Sequence, residues 1–320
     1  MEAIRIHEFG GPEVMKIEEV ERPLPQAGEI LVKMYASGVN PADYVVRQGG
    51  NEILKPFLKL PLGLGLDGAG IVEEIGSDVT GLKKGDKVYG LPNFLSGTYA
   101  EFIAAKANQF AIMPNNLSFN EAGAIPSCAL MAWNGMDLGK ISAGQRVLIH
   151  GAAGGIGTLA LQFAKAKGAY VISTASPRNF DFLRQLGADE VIDYKDENFG
   201  GLLQAVDVVF DASPVPDEAA RALMAGVLKD GGRFVSVQIA SPFSEKFLDL
   251  LAKKNAEAKM IRRDLDVAQS LTDIAKLIEA GKVSVVISKV YPLNKAAEAH
   301  AEMETKHVRG KLVLEIRKEN

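Results

Sequence analysis

Thiols are nearly absent from this chain. Cys128 is the one cysteine among 320 residues, which excludes an intramolecular disulfide and any multi-cysteine zinc cluster. Imidazoles are scarce as well: His7, His150, His300 and His307 are the four histidines, and none forms a close-spaced ligand pair. A dominant charge sign is also missing. With 36 Lys and Arg against 40 Asp and Glu, the net charge is −4, and no run of five or six basic residues offers a surface to nucleic acid or to an anionic membrane. No apolar run reaches the roughly 18 residues of a membrane span, and Met1–Glu8 lacks the basic, apolar and cleavage segments of a secretory leader. The sequence therefore predicts a cytoplasmic protein whose partners are small molecules. A 47% hydrophobic and 24% charged composition is that of an ordinary globular protein. Against a prior of about 150 residues per domain, the length suggests two domains.

What is present centres on one turn. The apolar Val147-Leu148-Ile149-His150 runs into Gly151-Ala152-Ala153-Gly154-Gly155-Ile156-Gly157 and then into the helix-like Thr158–Lys165. Strand, glycine-rich turn and helix start in this order form a dinucleotide-binding fingerprint, with alanine at the first glycine position: Ala152, then Gly154 where backbone must approach a pyrophosphate, then Gly157 where helix and strand pack closely. Amides of the helix N-terminus then face the phosphates. Tyr170–Thr174 supplies a second strand and completes a βαβ unit of about 30 residues. His150, just before the turn, reads as a strand residue with a satisfied imidazole rather than as a catalyst.

The first hundred residues are rich in short strands punctuated by glycine and proline. Glu29–Tyr35 alternates Ile30, Val32 and Met34, and Gly70–Ile75 is a second apolar stretch, so a compact, mostly β domain is predicted. Ser118 followed by Glu121 is a capping box that opens a helix through Ile125. Strands at Val147–Ile149, Tyr170–Thr174, Glu190–Ile192, Val206–Phe210 and Phe234–Val237 then alternate with helical pattern, the rhythm of a parallel sheet covered on both faces. Lys259–Arg262 reads as its last strand, followed by an amphipathic helix over Asp266–Ala280. Val285–Val290 and Lys311–Ile316 flank a polar helix, Lys295–Thr305, and are predicted to rejoin the first domain. The active site is expected in a cleft between the two domains.

Several segments resemble the zinc-independent quinone oxidoreductases of the medium-chain dehydrogenase/reductase superfamily: Ile6–Val14, Gly38-Val39-Asn40-Pro41-Ala42-Asp43, Asp67–Glu73, Gly85–Gly90, Gly151–Gly157, Leu186–Tyr194 and Arg309–Val313. The resemblance implies an α/β fold in which a mostly-β GroES-like catalytic domain, residues 1–120 and 265–320, is interrupted by a doubly wound parallel-sheet Rossmann domain, residues 121–264. It also implies NADPH as hydride donor and a homodimer built along the last Rossmann strand. The positions that hold catalytic zinc in the related alcohol dehydrogenases align with Asn40, Leu66 and Ser127, which cannot ligate it as a set. Cys128 beside them reads as a small buried residue.

About 20 residues past the glycines, where an NAD site carries an acid, the sequence reads Thr174-Ala175-Ser176-Pro177-Arg178. Ser176 and Arg178 can donate to a 2′-phosphate, Arg178 as a charged fork, which points to NADPH. By resemblance Tyr194 joins them at the adenosine end. Asn40 is a candidate for positioning nicotinamide or substrate beside its alternative as an Asx turn before Pro41, and Lys311 for touching cofactor beside its alternative as an exposed strand charge. No serine–histidine–acid set and no carboxylate pair of diagnostic spacing is visible. Asn51 falls where some enoyl-thioester reductases of the superfamily use a tyrosine, and Met131 where many relatives have a threonine. The reading is an NADPH-dependent reductase of quinones or electron-poor carbonyl compounds with the proton taken from solvent. Its alternatives are an enone or 2-alkenal double-bond reductase and a non-catalytic NADPH-binding protein.

Overall fold

A computed structural model describes the chain apart from residues 53, 93–96, 197–200, 202, 204, 215–216, 240, 262–265 and 320. Two compact units result: Met1–Ser127 with Asp266–Glu279 and Val285–Asn320, and Cys128–Leu265 with Ala280–Ser284.

The first unit is built on the strand Glu29–Val39, part of a seven-stranded sheet. It pairs antiparallel with Gly68–Ile75, Phe102–Lys106 and Lys311–Glu315. The last of these pairs parallel with Ile287–Pro292. β-Branched and long apolar residues suit so central a strand. Leu31 is as fully buried as Ile30, Val32 and Met34, so this stretch is covered on both faces rather than on the single face that alternation suggests. The helix Phe119–Ala124 starts on the predicted capping box, with the Glu121 amide donating to Ser118 Oγ and the Ser118 amide donating to the Glu121 carboxylate at 2.9 Å. Gly123 lets that helix press onto the sheet, since a Cβ there would come within 2.8 Å of the Ala36 carbonyl oxygen. Beside it, Ile6, Val39, Leu62, Tyr99, Leu312 and Leu314 belong to one apolar core that also takes in the helix Ala296–Glu304.

The second unit is a six-stranded sheet with every pair parallel. Its strands, in chain order, are Arg146–His150, Tyr170–Ala175, Glu190–Asp193, Val206–Asp211, Leu228–Ser236 and Glu257–Met260. In space they run 3-2-1-4-5-6, the doubly wound dinucleotide-binding order, whose direction reverses between strands 1 and 4. The glycine turn follows strand 1 and therefore lies at that reversal. The fifth strand begins at Leu228, well before the predicted Phe234, because its register against strand 4 slips between the Val206–Leu228 and Val208–Arg233 pairs and absorbs Gly231 and Gly232. The sixth begins at Glu257 and ends at Met260 rather than spanning Lys259–Arg262, of which Arg262 lies outside the described residues.

Candidate active site

The turn Gly151–Gly157 is shaped by three glycines with different tasks. Gly151 has φ +76°, in the left-handed region, and a Cβ there would press on the backbone of Ala212 at 2.9 Å. Gly157 opens the helix Gly155–Ala166 against its own strand: a Cβ would fall 2.3 Å from the Gly151 carbonyl oxygen. Gly154 differs from both. Its backbone is extended, and among the described residues a Cβ would meet nothing nearer than the Gly151 oxygen at 3.7 Å. As N-cap it brings no side chain to the first-turn amides. Helix amides without a side-chain cap, beside a residue with open space over its α-carbon, fit a phosphate-binding cradle. Ala152 is buried while Ala153, Gly154, Gly155 and Ile156 remain partly exposed.

The neighbouring strand ends surround this cradle. Ser176 and Arg178 follow strand 2, with Ser176 half-buried and Arg178 exposed, and Tyr194 follows strand 3. Because the sheet order is 3-2-1, the turn, the Ser176–Arg178 segment and Tyr194 come from three adjacent strands at their carboxyl ends. Tyr194 stands edge-on to His150, with ring centroids 6.4 Å apart. Thr174, which pattern reading passed over as a strand end, ties the segments together. Its Oγ1 is 2.7 Å from His150 Nδ1 and accepts from the Gly151 amide, while its carbonyl accepts from the Ala152 amide. Burial holds the His150 imidazole below the ordinary histidine range, and Asp211 and Asp217 pull against that. The residue closes the strand Arg146–His150.

In the first unit a second group of polar residues is buried around Asp67. This carboxylate accepts from the Ser127 amide at 2.7 Å, Asn40 Nδ2 at 2.9 Å and Ser127 Oγ at 3.1 Å, with Lys311 Nζ at 3.5 Å. Burial pushes the Asp67 carboxyl up from its ordinary range, while the Lys311 ammonium and the hydrogen bonds from Asn40 and Ser127 pull it down. Lys311 is 3% exposed, so it is no surface charge: its Nζ donates to Asn40 Oδ1 and to the Val39 carbonyl at 3.1 Å. The pairing of Leu312 with Val39 puts it there. Asn40 thus receives Lys311 on its oxygen, shares with Asp67 the single hydroxyl hydrogen of Ser127, whose Oγ is 3.1 Å from both acceptors, and directs its nitrogen to Asp67 and the Gly38 carbonyl. Gly38 leaves room for the cluster, for a Cβ would come within 2.9 Å of Asp67 Oδ2.

A chain of buried groups adjoins it. Arg47 is wholly buried, donating to the Gly10 carbonyl, to His300 Nδ1 at 3.1 Å and to Glu304 at 2.7 Å. An arginine can only donate, so His300 Nδ1 accepts and its Nε2 carries the hydrogen. Nε2 then donates to Tyr99 Oη at 3.2 Å, and Tyr99 donates to Asp43 Oδ2 at 2.9 Å, which also accepts from the Asn40 amide. Burial, with Arg47 adding to it, lowers His300 to about 3. Burial raises the Asp43 carboxyl to about 7 against the pull of the Asn40 and Tyr99 hydrogen bonds. Pattern reading found no carboxylate pair of diagnostic spacing, and the two acids buried here, Asp43 and Asp67, have none. The available signal was a lone acid in each apolar setting, and a lone lysine opening Lys311-Leu312-Val313-Leu314. Asn51 accepts from the Leu54 amide at 3.0 Å, Met131 is half-buried, and Cys128 is buried.

A family model described as "Alcohol dehydrogenase GroES-like domain" matches residues 26–115, and one described as "Zinc-binding dehydrogenase" matches 186–314. The chain is 33% identical to the quinone oxidoreductase of Sus scrofa, over 98% of its own length and 97% of that protein. The chain belongs to the quinone oxidoreductase-like family of the medium-chain dehydrogenase/reductase superfamily. It is therefore an oxidoreductase, with the GroES-like and Rossmann-like domains of that family. It is also 33% identical to an NADPH-dependent alkenal/one oxidoreductase of Arabidopsis thaliana, over 98% of this chain and 79% of that one. Among solved structures, the Escherichia coli quinone oxidoreductase complexed with NADPH superposes with a TM-score of 0.85 at 30% identity, covering 99% of this chain and all of that one.

Proposed function

We propose that this oxidoreductase uses NADPH and passes hydride to quinones or related electron-poor carbonyl compounds without a zinc ion. The observation that carries the reading is the cradle at the strand reversal, with no acid at the end of the second strand and Ser176 and Arg178 in its place. Bound there, NADPH supplies the hydride. Gly154 and the helix amides hold its pyrophosphate, Ser176 and Arg178 its 2′-phosphate, and Tyr194 lies against the adenosine end. Asn40, held in the Asp67 cluster, is assigned the positioning of nicotinamide or substrate. A quinone that accepts hydride leaves an oxyanion that solvent protonates, so the chain needs no dedicated acid for that step.

The donor set supports metal-free chemistry. Asn40, Leu66 and Ser127 offer an amide, an alkyl group and a hydroxyl, and Asn40 and Ser127 are bound to Asp67 and to each other. We further propose a homodimer formed along Glu257–Met260, the terminal strand in the sheet order and so a ready edge for pairing.

The deciding experiment is NADPH consumption by the purified protein with a panel of quinones, enones and 2-alkenals, the products being identified. Hydroquinones formed faster than any saturated carbonyl product support the proposal. Dominant saturated ketones or aldehydes would favour double-bond reduction, the activity named for the Arabidopsis relative. Tight NADPH binding without turnover of any acceptor would overturn both.

A further inference from the structure

The partners of Lys311 Nζ among the described residues include three oxygens: the Val39 main chain, the Asn40 carboxamide and the Asp67 carboxylate. All three only accept, and an ammonium only donates. Cation and carboxylate are both almost fully sequestered, at 4% and 0% side-chain exposure. Asp67 in turn is fixed by Ser127 through both its amide and its hydroxyl, and Ser37 Oγ donates to the Asp67 carbonyl at 2.6 Å. The surroundings are therefore rigid before the ammonium is counted, and removing it would leave a buried carboxylate facing a buried carbonyl and amide oxygen.

We propose that Lys311 is a tethered cation seated in a cage of oxygen acceptors, and that by neutralising Asp67 and holding the Asn40 carboxamide it acts as a positioning residue for the reduction. The cage itself is a binding site for a primary ammonium, which in the native chain is supplied covalently from the strand Lys311–Glu315. This assignment gives Lys311 a part in the reaction through Asn40 rather than by touching the cofactor. The part played in the reaction rests on the function proposed above; the cage does not.

The test is chemical rescue. Lys311→Ala removes what n-propylammonium restores, three methylenes and an ammonium. In the variant, thermal unfolding should shift upward saturably with n-propylammonium, while wild-type protein does not respond. Neither n-propanol, which has the shape without the charge, nor tetramethylammonium, which has the charge without a donor, should reproduce the shift. With quinone and NADPH, kcat should fall about 10- to 100-fold, as for a displaced positioning group, and rise again with n-propylammonium. NADPH affinity, proposed above to be set by the glycine turn and Arg178, should stay constant.

Absence of a specific n-propylammonium shift in a folded Lys311→Ala protein, or a variant as stable and active as wild type, overturns the cage. If Lys311→Ala does not fold, Lys311→Met is compared with Lys311→Met/Asp67→Asn. The double variant should be the more stable, since its carboxylate is no longer buried without a counter-charge, and the reverse order overturns the proposal. The unfolding measurements need no acceptor, so they decide the cage even if wild-type protein reduces no quinone. Rescue of stability without rescue of kcat overturns the positioning role alone.

Discussion

One methyl group separates the fates of Gly154 and Gly157. At Gly154 the backbone is extended and, among the described residues, no atom lies within contact of a Cβ apart from the Gly151 oxygen at 3.7 Å. Gly154→Val should therefore fold with an unfolding temperature near wild type and lose NADPH affinity, measurable by fluorescence titration. Retained affinity would mean that the phosphates bind elsewhere. Gly157→Val should instead fail to accumulate as folded protein, because its Cβ would overlap the Gly151 oxygen at 2.3 Å and the Ala152 backbone at 2.6 Å. The second residue-scale prediction concerns Arg178. A charged hydrogen bond is worth about 1.5–3 kcal/mol, so Arg178→Ala should weaken NADPH about 10- to 100-fold and leave NADH nearly unchanged. An equal loss for both cofactors would remove Arg178 from the 2′-phosphate site. The strand–turn–helix around Gly151–Gly157 was legible because a fingerprint fixes the spacing of its glycines. Asp67 and Lys311 were not, because residues 244 positions apart meet only through strand pairing, and nothing local marks a lysine as buried. Lys311 was visible as part of a Gly-Lys pair, but its alternative as an exposed strand charge does not survive.

At the scale of elements, the helices Pro41–Arg47 and Ala296–Glu304 are joined by polar groups rather than by apolar packing alone. Asp43, Tyr99, His300, Arg47 and Glu304 run in sequence from one helix to the other. This arrangement makes stability depend on pH through Asp43. Its carboxyl lies at about 7 in the folded protein against 3.8 in an unperturbed chain, burial being the largest cause. Between those values the folded state keeps a proton that the unfolded state has released. Stability from this group is then complete below about pH 4 and is lost as pH rises through about 7, with a slope of order 1 kcal/mol per pH unit for one proton. Asp43→Asn cannot ionise and keeps an acceptor oxygen for Tyr99 and the Asn40 amide. Its unfolding temperature should fall less than that of wild type between pH 5 and 8. Asp67, also raised, contributes a residual slope of the same sign in both proteins. Parallel profiles for the two proteins would show that Asp43 is already ionised when folded. The elements themselves were largely legible. The helix Val267–Glu279 and the strand Tyr170–Ala175 fall where periodicity put them. The fifth parallel strand was cut short in the sequence reading because Gly231-Gly232 resembles a turn, whereas the pairing register absorbs both glycines.

The whole molecule combines a parallel sheet of dinucleotide-binding order with a GroES-like unit whose buried charged cluster is made of side chains. Alternating strand and helix patterns showed a parallel sheet, but the order 3-2-1-4-5-6 is a tertiary property: it depends on which apolar strand each crossover reaches, and periodicity says nothing of that. The same limit hid the buried cation of the GroES-like unit, although the residues at the aligned zinc positions were plain. Metal content is accordingly the prediction that belongs to the entire protein. The match to a model described as "Zinc-binding dehydrogenase" covers 186–314, a stretch that contains none of Asn40, Leu66 and Ser127. Asn40 is bound to Lys311, Ser127 and Asp67, and a divalent ion arriving there would meet the ammonium already seated beside Asp67. Like charges at such separations in a buried site repel by several kcal/mol even at a generous effective dielectric. Purified protein should contain no stoichiometric zinc by elemental analysis and should keep its reductase activity after exhaustive chelation. It should oxidise simple primary alcohols negligibly, because no Lewis acid stabilises the alkoxide from which hydride must leave. Lys311→Ala should not become an alcohol dehydrogenase when zinc is added, since Asn40, Leu66 and Ser127 still offer no thiolate or imidazole. One zinc per wild-type chain, with activity lost on its removal and recovered on its return, would overturn both the metal-free chemistry and the quinone class of acceptor.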